Sequence, residues 1–314
     1  METPGLRVFL SLRIFLLFIL FVILCPPFAG ADPQSQAREE QWALAEHLFG
    51  SGDYYRAITE YKRFLFYFPE DGRSAAASLR IVESYLRGGW WNEGLQAGHR
   101  FLEQGLSQEH EDRLLLMMAF CSLQLGRQEE ALGWLRRILD RSRDPQVLGS
   151  AQYLMAEAHA RAGRWQESQG VLEHIAPGHL LHGRARRASQ ALNRGREELL
   201  HRKSPWKAGL LAFLLPGAGH LYCGRKRDAF VVFSVNAAFI AATVEAIEKD
   251  NPPLAAGMAL AELIWYSGNI FSAVGSAHKH NRRLKERLLE EILLPWDRLD
   301  PWRRDGDGRW RRVP

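Results

Sequence analysis

The chain has 314 residues, 46% of them hydrophobic and 25% charged, which excludes wholesale disorder or a collagen-like fibre and leaves room for two domains or one elongated array. Its formal charge of +5 is uneven: residues 32–200 carry 21 basic against 23 acidic groups, and residues 201–314 carry 18 against 12. With no basic stripe through the middle this is not the signature of a nucleic-acid binder; basic residues flanking apolar runs belong to membrane topology.

Residues 1–31 read as an export signal, with Arg7 at a positive start, an apolar run from Val8 to Cys25 and small residues Ala29-Gly30-Ala31 before Asp32. Arg13 splits the run, so the uninterrupted apolar stretch Ile14–Cys25 is short for a span of about 20 residues. A cleaved signal is the first expectation, a retained N-terminal anchor the second. Lipidation at Cys25 is a third, set back by Leu24 before it and Pro26-Pro27 after it. The other cysteines, Cys121 and Cys223, lie far apart and make neither a disulfide framework nor a zinc spacing.

A repeat with a period of 37 follows. Gly52, Gly89, Gly126 and Gly163 are evenly spaced, with Tyr54, Trp91, Gln128 and Trp165 two places on and Ala57, Gly94, Ala131 and Ser168 five places on. Tyr61, Gly98, Leu135 and Leu172 keep register, as do Phe64, Phe101, Ile138 and Ile175, and before the glycines Leu44, Ile81, Met118 and Met155. Apolar positions at helical spacing on both sides of each glycine predict a pair of amphipathic helices per copy, and such pairs bury their apolar faces by stacking. Gly94 and Gly98 fall in the second helix of the second copy and are expected to loosen it. Pro177-Gly178 breaks the pattern, and Leu180–Leu200 reads as an Arg-rich capping helix, with His179 and His182 near its start.

The Leu-Ala…Gly-x-Tyr…Ala…Tyr…Pro pattern of residues 44–69 resembles the tetratricopeptide repeat family, and the resemblance extends over residues 38–176, with a period of 37 in place of the family's usual 34. It implies an all-α helical solenoid of four units over residues 32–176, holding a protein or peptide partner on the concave face of the first helices. By register that groove would carry the aromatics Trp42, Phe120 and Tyr153, the carboxylates Glu46, Glu83 and Glu157, and the guanidiniums Arg87, Arg113 and Arg161. Packing between units is the competing reading for Trp42 and Phe120.

After a capping helix and linker (177–203), three apolar stretches, Ala208–Cys223, Ala229–Ile247 and Leu254–Ala277, predict a helical transmembrane module over residues 204–283. The second and third are long enough to span; the first is a short span or a re-entrant segment. Glu262 in the third is costly in a bilayer and is flagged on that ground. Three crossings starting outside would place Arg225-Lys226-Arg227 and the residues from Lys279 to Arg287 in the cytoplasm and the repeats outside it; two crossings with a re-entrant loop is the alternative.

The run Pro216-Gly217-Ala218-Gly219-His220-Leu221-Tyr222-Cys223-Gly224 resembles the Pro-Gly-x-Gly-Gln-x-Tyr-x-Gly core of a small bacterial membrane-hairpin family of obscure function, and Ser267-Gly268-Asn269 with Asn281-Arg282-Arg283 resembles that family's closing segment. His220 replaces the family's glutamine. His220, Glu262 and Tyr222 are conceivable as an acid–base set, but no GxSxG, HExxH, P-loop or dinucleotide fingerprint occurs, and neither enzyme chemistry nor a cofactor or metal is expected. Leu284–Leu294 reads as an amphipathic helix beside the membrane, followed by a basic tail whose Trp296, Trp302 and Trp310 suit headgroup contact. The sequence thus points to a non-catalytic scaffold docking a partner at a bacterial envelope, multi-pass in the inner membrane with its array on the periplasmic side. An accessory role in envelope transport or membrane insertion is the alternative.

Overall fold

A computed structural model of the chain describes residues 33–200, 202–304 and 310–312; the leader and Cys25 lie outside them. The described chain is helical apart from one three-residue ladder. It divides into two compact units, Met1–Leu125 and Gly126–Pro314, with the boundary inside the repeat tract.

The first unit holds α1 (Pro33–Gly50), α2 (Tyr54–Tyr67), α3 (Ser74–Arg87), α4 (Trp91–Glu103) and α5 (Gln108–Gln124). Consecutive helices pack pairwise, and α3 also packs on α5. The glycine column sits where the chain turns from first helix to second. Gly52 and Gly89 adopt φ of 83° and 79°, a left-handed backbone that costs glycine little, and the turn is closed by Asp53 N–H donating to Leu48 O and Trp90 N–H to Tyr85 O. The core between helices is built from the repeat columns, among them Ala57, Tyr61, Phe64, Ile81 and Met118. Gly98 does not loosen α4: a Cβ there would lie 2.7 Å from Met118 Cγ, so the glycine is what lets α5 approach.

The second unit begins with α6 (Gln128–Arg141), α7 (Pro145–Arg161), α8 (Trp165–Glu173) and α9 (His182–Leu200). It continues with α10 (Pro205–Leu214), the five-residue α11 (Ala218–Tyr222), α12 (Lys226–Glu248) and the 39-residue α13 (Pro252–Glu290). The chain closes with α14 (Trp296–Leu299) and the antiparallel pair β1 (Trp302–Arg304) and β2 (Trp310–Arg312). Three of these helices open with a capping side chain followed by proline. Asp144 accepts from Gln146 N–H, Ser204 from Lys207 N–H and Asn251 from Leu254 N–H, ahead of Pro145, Pro205 and Pro252. The third apolar stretch and the amphipathic segment after it form one continuous helix. At 1.5 Å per residue α13 is about 58 Å long, nearly twice the thickness of a hydrocarbon core.

Candidate functional site

In the first unit the residues assigned to a groove are interior. Glu83 is fully buried, and Glu46, Arg113 and Phe120 are buried as well. The hub is a residue the sequence reading missed, Arg80, itself 2% exposed. Its guanidinium donates to both oxygens of Glu46 at 2.9 and 3.0 Å and to Glu83 Oε2 at 3.1 Å. Arg87 donates to Glu83 Oε1 and Arg113 to Glu83 Oε2, at 2.9 and 3.2 Å, while Tyr61 OH donates to Glu46 Oε1 at 2.6 Å. Burial alone would raise the Glu83 pKa, but Arg113, Arg80 and Arg87 outweigh it and hold the carboxyl below its ordinary value. Trp42 is half-buried, its ring edge-on to Tyr61 and Phe64 and covered by the Arg73 guanidinium. Arg87 keeps a quarter of its side chain exposed. By register these positions share one face, and charge pairing closes it.

In the second unit Tyr153, Glu157 and Arg161 lie with Ser150 along one stripe of α7, at helical spacing. The stripe is covered by the end of the same chain. Tyr153 OH donates to Ile292 O at 2.9 Å, and Ser150 Oγ to Leu299 O at 2.8 Å. The Leu294 amide favours the charged form of the Glu157 carboxyl, and Lys285 Nζ donates to Arg161 O at 3.2 Å. Burial pushes the Tyr153 phenol up to about 12, so it stays a donor at every physiological pH. Burial also raises the Glu157 pKa; Arg161, bonded to it at 2.9 Å, and the Leu294 amide oppose the shift without reversing it. Trp296 and Trp302, expected at lipid headgroups, are 4% and 3% exposed within this unit.

The glycine-rich motif is a packing device. Leu215 is extended ahead of Pro216, and Gly217 turns the chain at a φ of 87° with Ala229 O only 2.3 Å from where a Cβ would sit. A Cβ on Gly219 would fall 2.2 Å from Ala208 O and 2.7 Å from Ala273 Cβ, so only glycine lets α10, α11 and α13 meet. His220 is buried and bonds Ser272 Oγ through Nε2 at 3.1 Å; Tyr222 OH accepts from Ser204 N–H at 3.1 Å. Gly224, at a φ of 78°, closes the short helix as Arg225 N–H donates to His220 O. Glu262 is half-buried and ten residues before Ser272 on α13, about 15 Å along the axis, so His220, Tyr222 and Glu262 are not assembled into an acid–base set. Asn269 is buried, as is Asn236, which the sequence reading passed over; its Nδ2 donates to Val232 O at 2.6 Å.

Further contacts join these helices near their ends. The Ser204–Tyr222 bond places both ends of the α10–α11 hairpin together. Asn281 holds the Lys203 backbone from both sides, accepting from its N–H at 3.0 Å and donating to its O at 2.8 Å, and Arg225 donates to Ser276 Oγ at 2.7 Å. The starts of α10 and α12 and the middle of α13 therefore share one level, and α12 leaves it while α13 returns. The residues after α13 then pack on α7. At this level Arg225, Lys279, His280, Arg283 and Arg287, with Glu286 and Glu290, line an open cleft of about 650 Å³.

Among the described residues, α12 is the one helix long and apolar enough to cross a membrane. Large apolar side chains on α10, α12 and α13 face outward, including Phe230 at 72% and Phe271 at 77% exposure. No group of three His, Cys, Asp or Glu converges as a metal site among the described residues. His179 instead bonds Gln146 O and accepts from Leu181 N–H, and His182 bonds Ile175 O. Burial lifts the Cys121 thiol to about 12, which makes it inert.

No family model and no curated protein matches the chain. A solved structure of a tetratricopeptide repeat protein from Parabacteroides merdae is similar over 82% of this chain and 99% of its own, at 16% identity and a TM-score of 0.42. At that score the likeness adds nothing to the repeat register and helix pairing described above.

Proposed function

We propose that the protein is a membrane-tethered, non-catalytic scaffold of tetratricopeptide type, docking a partner protein at a bacterial inner membrane. The observation that carries this reading is the joining, within one compact unit, of in-register helical pairs to a helical hairpin whose apolar side chains face outward beside a level of cations. Contiguous exposed apolar surface of this kind marks contact with lipid or protein, and cations at its edge suit phosphate headgroups. In this reading α12 and the first part of α13 cross, α10–α11 is re-entrant, and the repeats lie on the same side as Arg225 and Lys279. The leader enters the membrane first and so sets that side as extracytoplasmic, against the pull of the basic cluster.

Single cysteines at Gln108, Arg227 and Asp250, probed from outside intact cells, test it. Labelling at Gln108 and Arg227 with protection at Asp250 is expected. Equal labelling at all three would remove the crossing, and the opposite pattern would put the array in the cytoplasm. A second reading, an accessory role in transport or insertion, draws on the buried His220, Asn236 and Asn269, since polar groups inside an apolar hairpin are costly without a use. It expects His220→Ala or Asn236→Ala to abolish function while membrane insertion survives.

A further inference from the structure

The residue pattern of the C-terminal segment is that of a ligand. Ile292, Trp296, Leu299 and Trp302 are buried, as are Asp300 and Pro301, while Pro295, Asp297 and Arg298 are exposed. The segment is not one helix: a turn at 291–292 leads through an irregular stretch to the single helical turn Trp296–Leu299 and to Trp302 at the start of β1, so its buried anchors come from three local conformations. The receiving surface has matching features. Ser150, Tyr153 and Glu157 on α7 meet main-chain groups of Leu299, Ile292 and Leu294, contacts that read backbone and leave side-chain choice to the apolar seats. α7 is the first helix of its pair, and the stripe lies in the repeat columns assigned to partner binding. An open cavity of about 560 Å³ beside it, lined in part by Leu181, Arg184, Arg187 and Leu294, extends the seat toward α9.

We propose that the α7 stripe is a peptide-binding surface whose resident ligand is the chain's own segment 292–302, and that it accepts in trans a peptide of the same chemistry: bulky apolar anchors at that spacing, bound through its backbone carbonyls. The proposal rests on the scaffold reading and narrows it to a surface and a ligand class. A tethered segment is present at an effective concentration of order millimolar, so a free peptide competes against it and the intact chain is a closed receptor.

The test uses the full chain in detergent and a fluorescein-labelled synthetic peptide of residues 290–303. The doubly substituted chain Trp296→Ala/Leu299→Ala, with two anchors of its resident segment removed, is expected to bind the peptide at least about tenfold more tightly than the unaltered chain. Adding Tyr153→Phe and Ser150→Ala should reverse most of that gain. A substituted chain that melts cooperatively yet gains no affinity for the peptide overturns the proposal. Should the substituted chain not fold, hydrogen exchange on the unaltered chain decides. Amides of 292–302 opening faster than those of α7 support a displaceable ligand, whereas one common rate makes the segment a fixed part of the core and overturns it. Tails exchanged between two copies, seen as a dimer in light scattering, would overturn the assignment in cis. The peptide result is independent of whether the array captures a partner, so the scaffold reading stands or falls by its own test.

Discussion

Three of the four copies place a glutamate at the same position, Glu46, Glu83 and Glu157, and the structure treats the last two in opposite ways. Glu83 in the first unit is held by three guanidiniums and its pKa is lowered; Glu157 in the second has one guanidinium and the Leu294 amide, and its pKa is raised. Both are buried. In the first unit the face between helices is closed by internal charge, in the second by the far end of the chain. A conserved column in a repeat therefore fixes where a side chain points without fixing what it meets.

The largest test of that contrast is to neutralise each glutamate. Glu83→Gln removes the carboxylate that Arg80, Arg87 and Arg113 share, while Arg80 keeps Glu46, and is expected to cost about 3–5 kcal/mol, since it leaves excess positive charge in a buried network. Glu157→Gln removes a carboxylate already disfavoured by burial and should lie within about 1 kcal/mol of the parent, on either side. Chemical denaturation of the full chain in detergent separates the two. Equal losses would mean that Glu157 is as firmly paired as Glu83.

The two buried tyrosines sharpen the same comparison at smaller scale. Tyr61 donates to the charged Glu46 and Tyr153 to a neutral carbonyl. Tyr61→Phe should cost roughly 1.5–3 kcal/mol and Tyr153→Phe roughly 0.5–1.5, because a bond to an ionised acceptor is worth about twice a neutral one. A larger loss at Tyr153 would show that the C-terminal segment is fastened more tightly than the internal network.

Much of this was legible from sequence, and what was not has a physical reason. The helix pairs, their turns and the interior columns follow from a period of 37 and a left-handed glycine, both local. Arg80 left a signal that went unread: its column holds Ala43, Met117 and Leu154 in the other copies, and a lone arginine in an apolar column needs a buried counter-charge. Glu46 and Glu83 supply it. The covering of α7 left no such signal, because Ser150 and Leu299 are 149 residues apart and neither repeats. Trp296 and Trp302 look alike in sequence whether they meet lipid or protein. The folding back of α10 and α11 likewise depended on Ser204 meeting Tyr222, which no hydropathy window contains.

Within the second unit, the glycine motif contrasts with glycines that merely line a helix. Gly219→Ala must displace Ala208 O or Ala273, and overpacking of that kind typically costs about 1–3 kcal/mol. Gly268 on α13 has nothing within 4 Å of a new Cβ, so Gly268→Ala should change stability by less than about 0.5 kcal/mol. Thermal melts of the two variants in one detergent measure the difference. A silent Gly219→Ala would mean that α10, α11 and α13 can part without cost, and the re-entrant hairpin would lose its main support.

The smallest effect expected is on pH, and the two glutamates should give it opposite signs. A carboxyl whose folded pKa lies below the unfolded value contributes stability that is present above the unfolded value and lost as pH falls through the folded one. Glu83 is of this kind, so the first unit should hold steady from pH 7 down to about 4.5 and weaken below it. A carboxyl whose folded pKa is raised contributes in the other direction: its stability is complete below the unfolded value and is lost as pH climbs through the folded one. Glu157 is of this kind, so α7 and the segment on it should open less readily at pH 5 than at pH 7. Hydrogen exchange, corrected for intrinsic rate, reads both helices in one sample. The expected pattern is α7 more protected at pH 5 than at pH 7 with α3 unchanged, and Glu157→Gln should remove the α7 response alone. If α3 and α7 respond alike, the two glutamates share one environment, and the distinction between a face closed by charge and a face closed by the chain's own end fails at its chemical root.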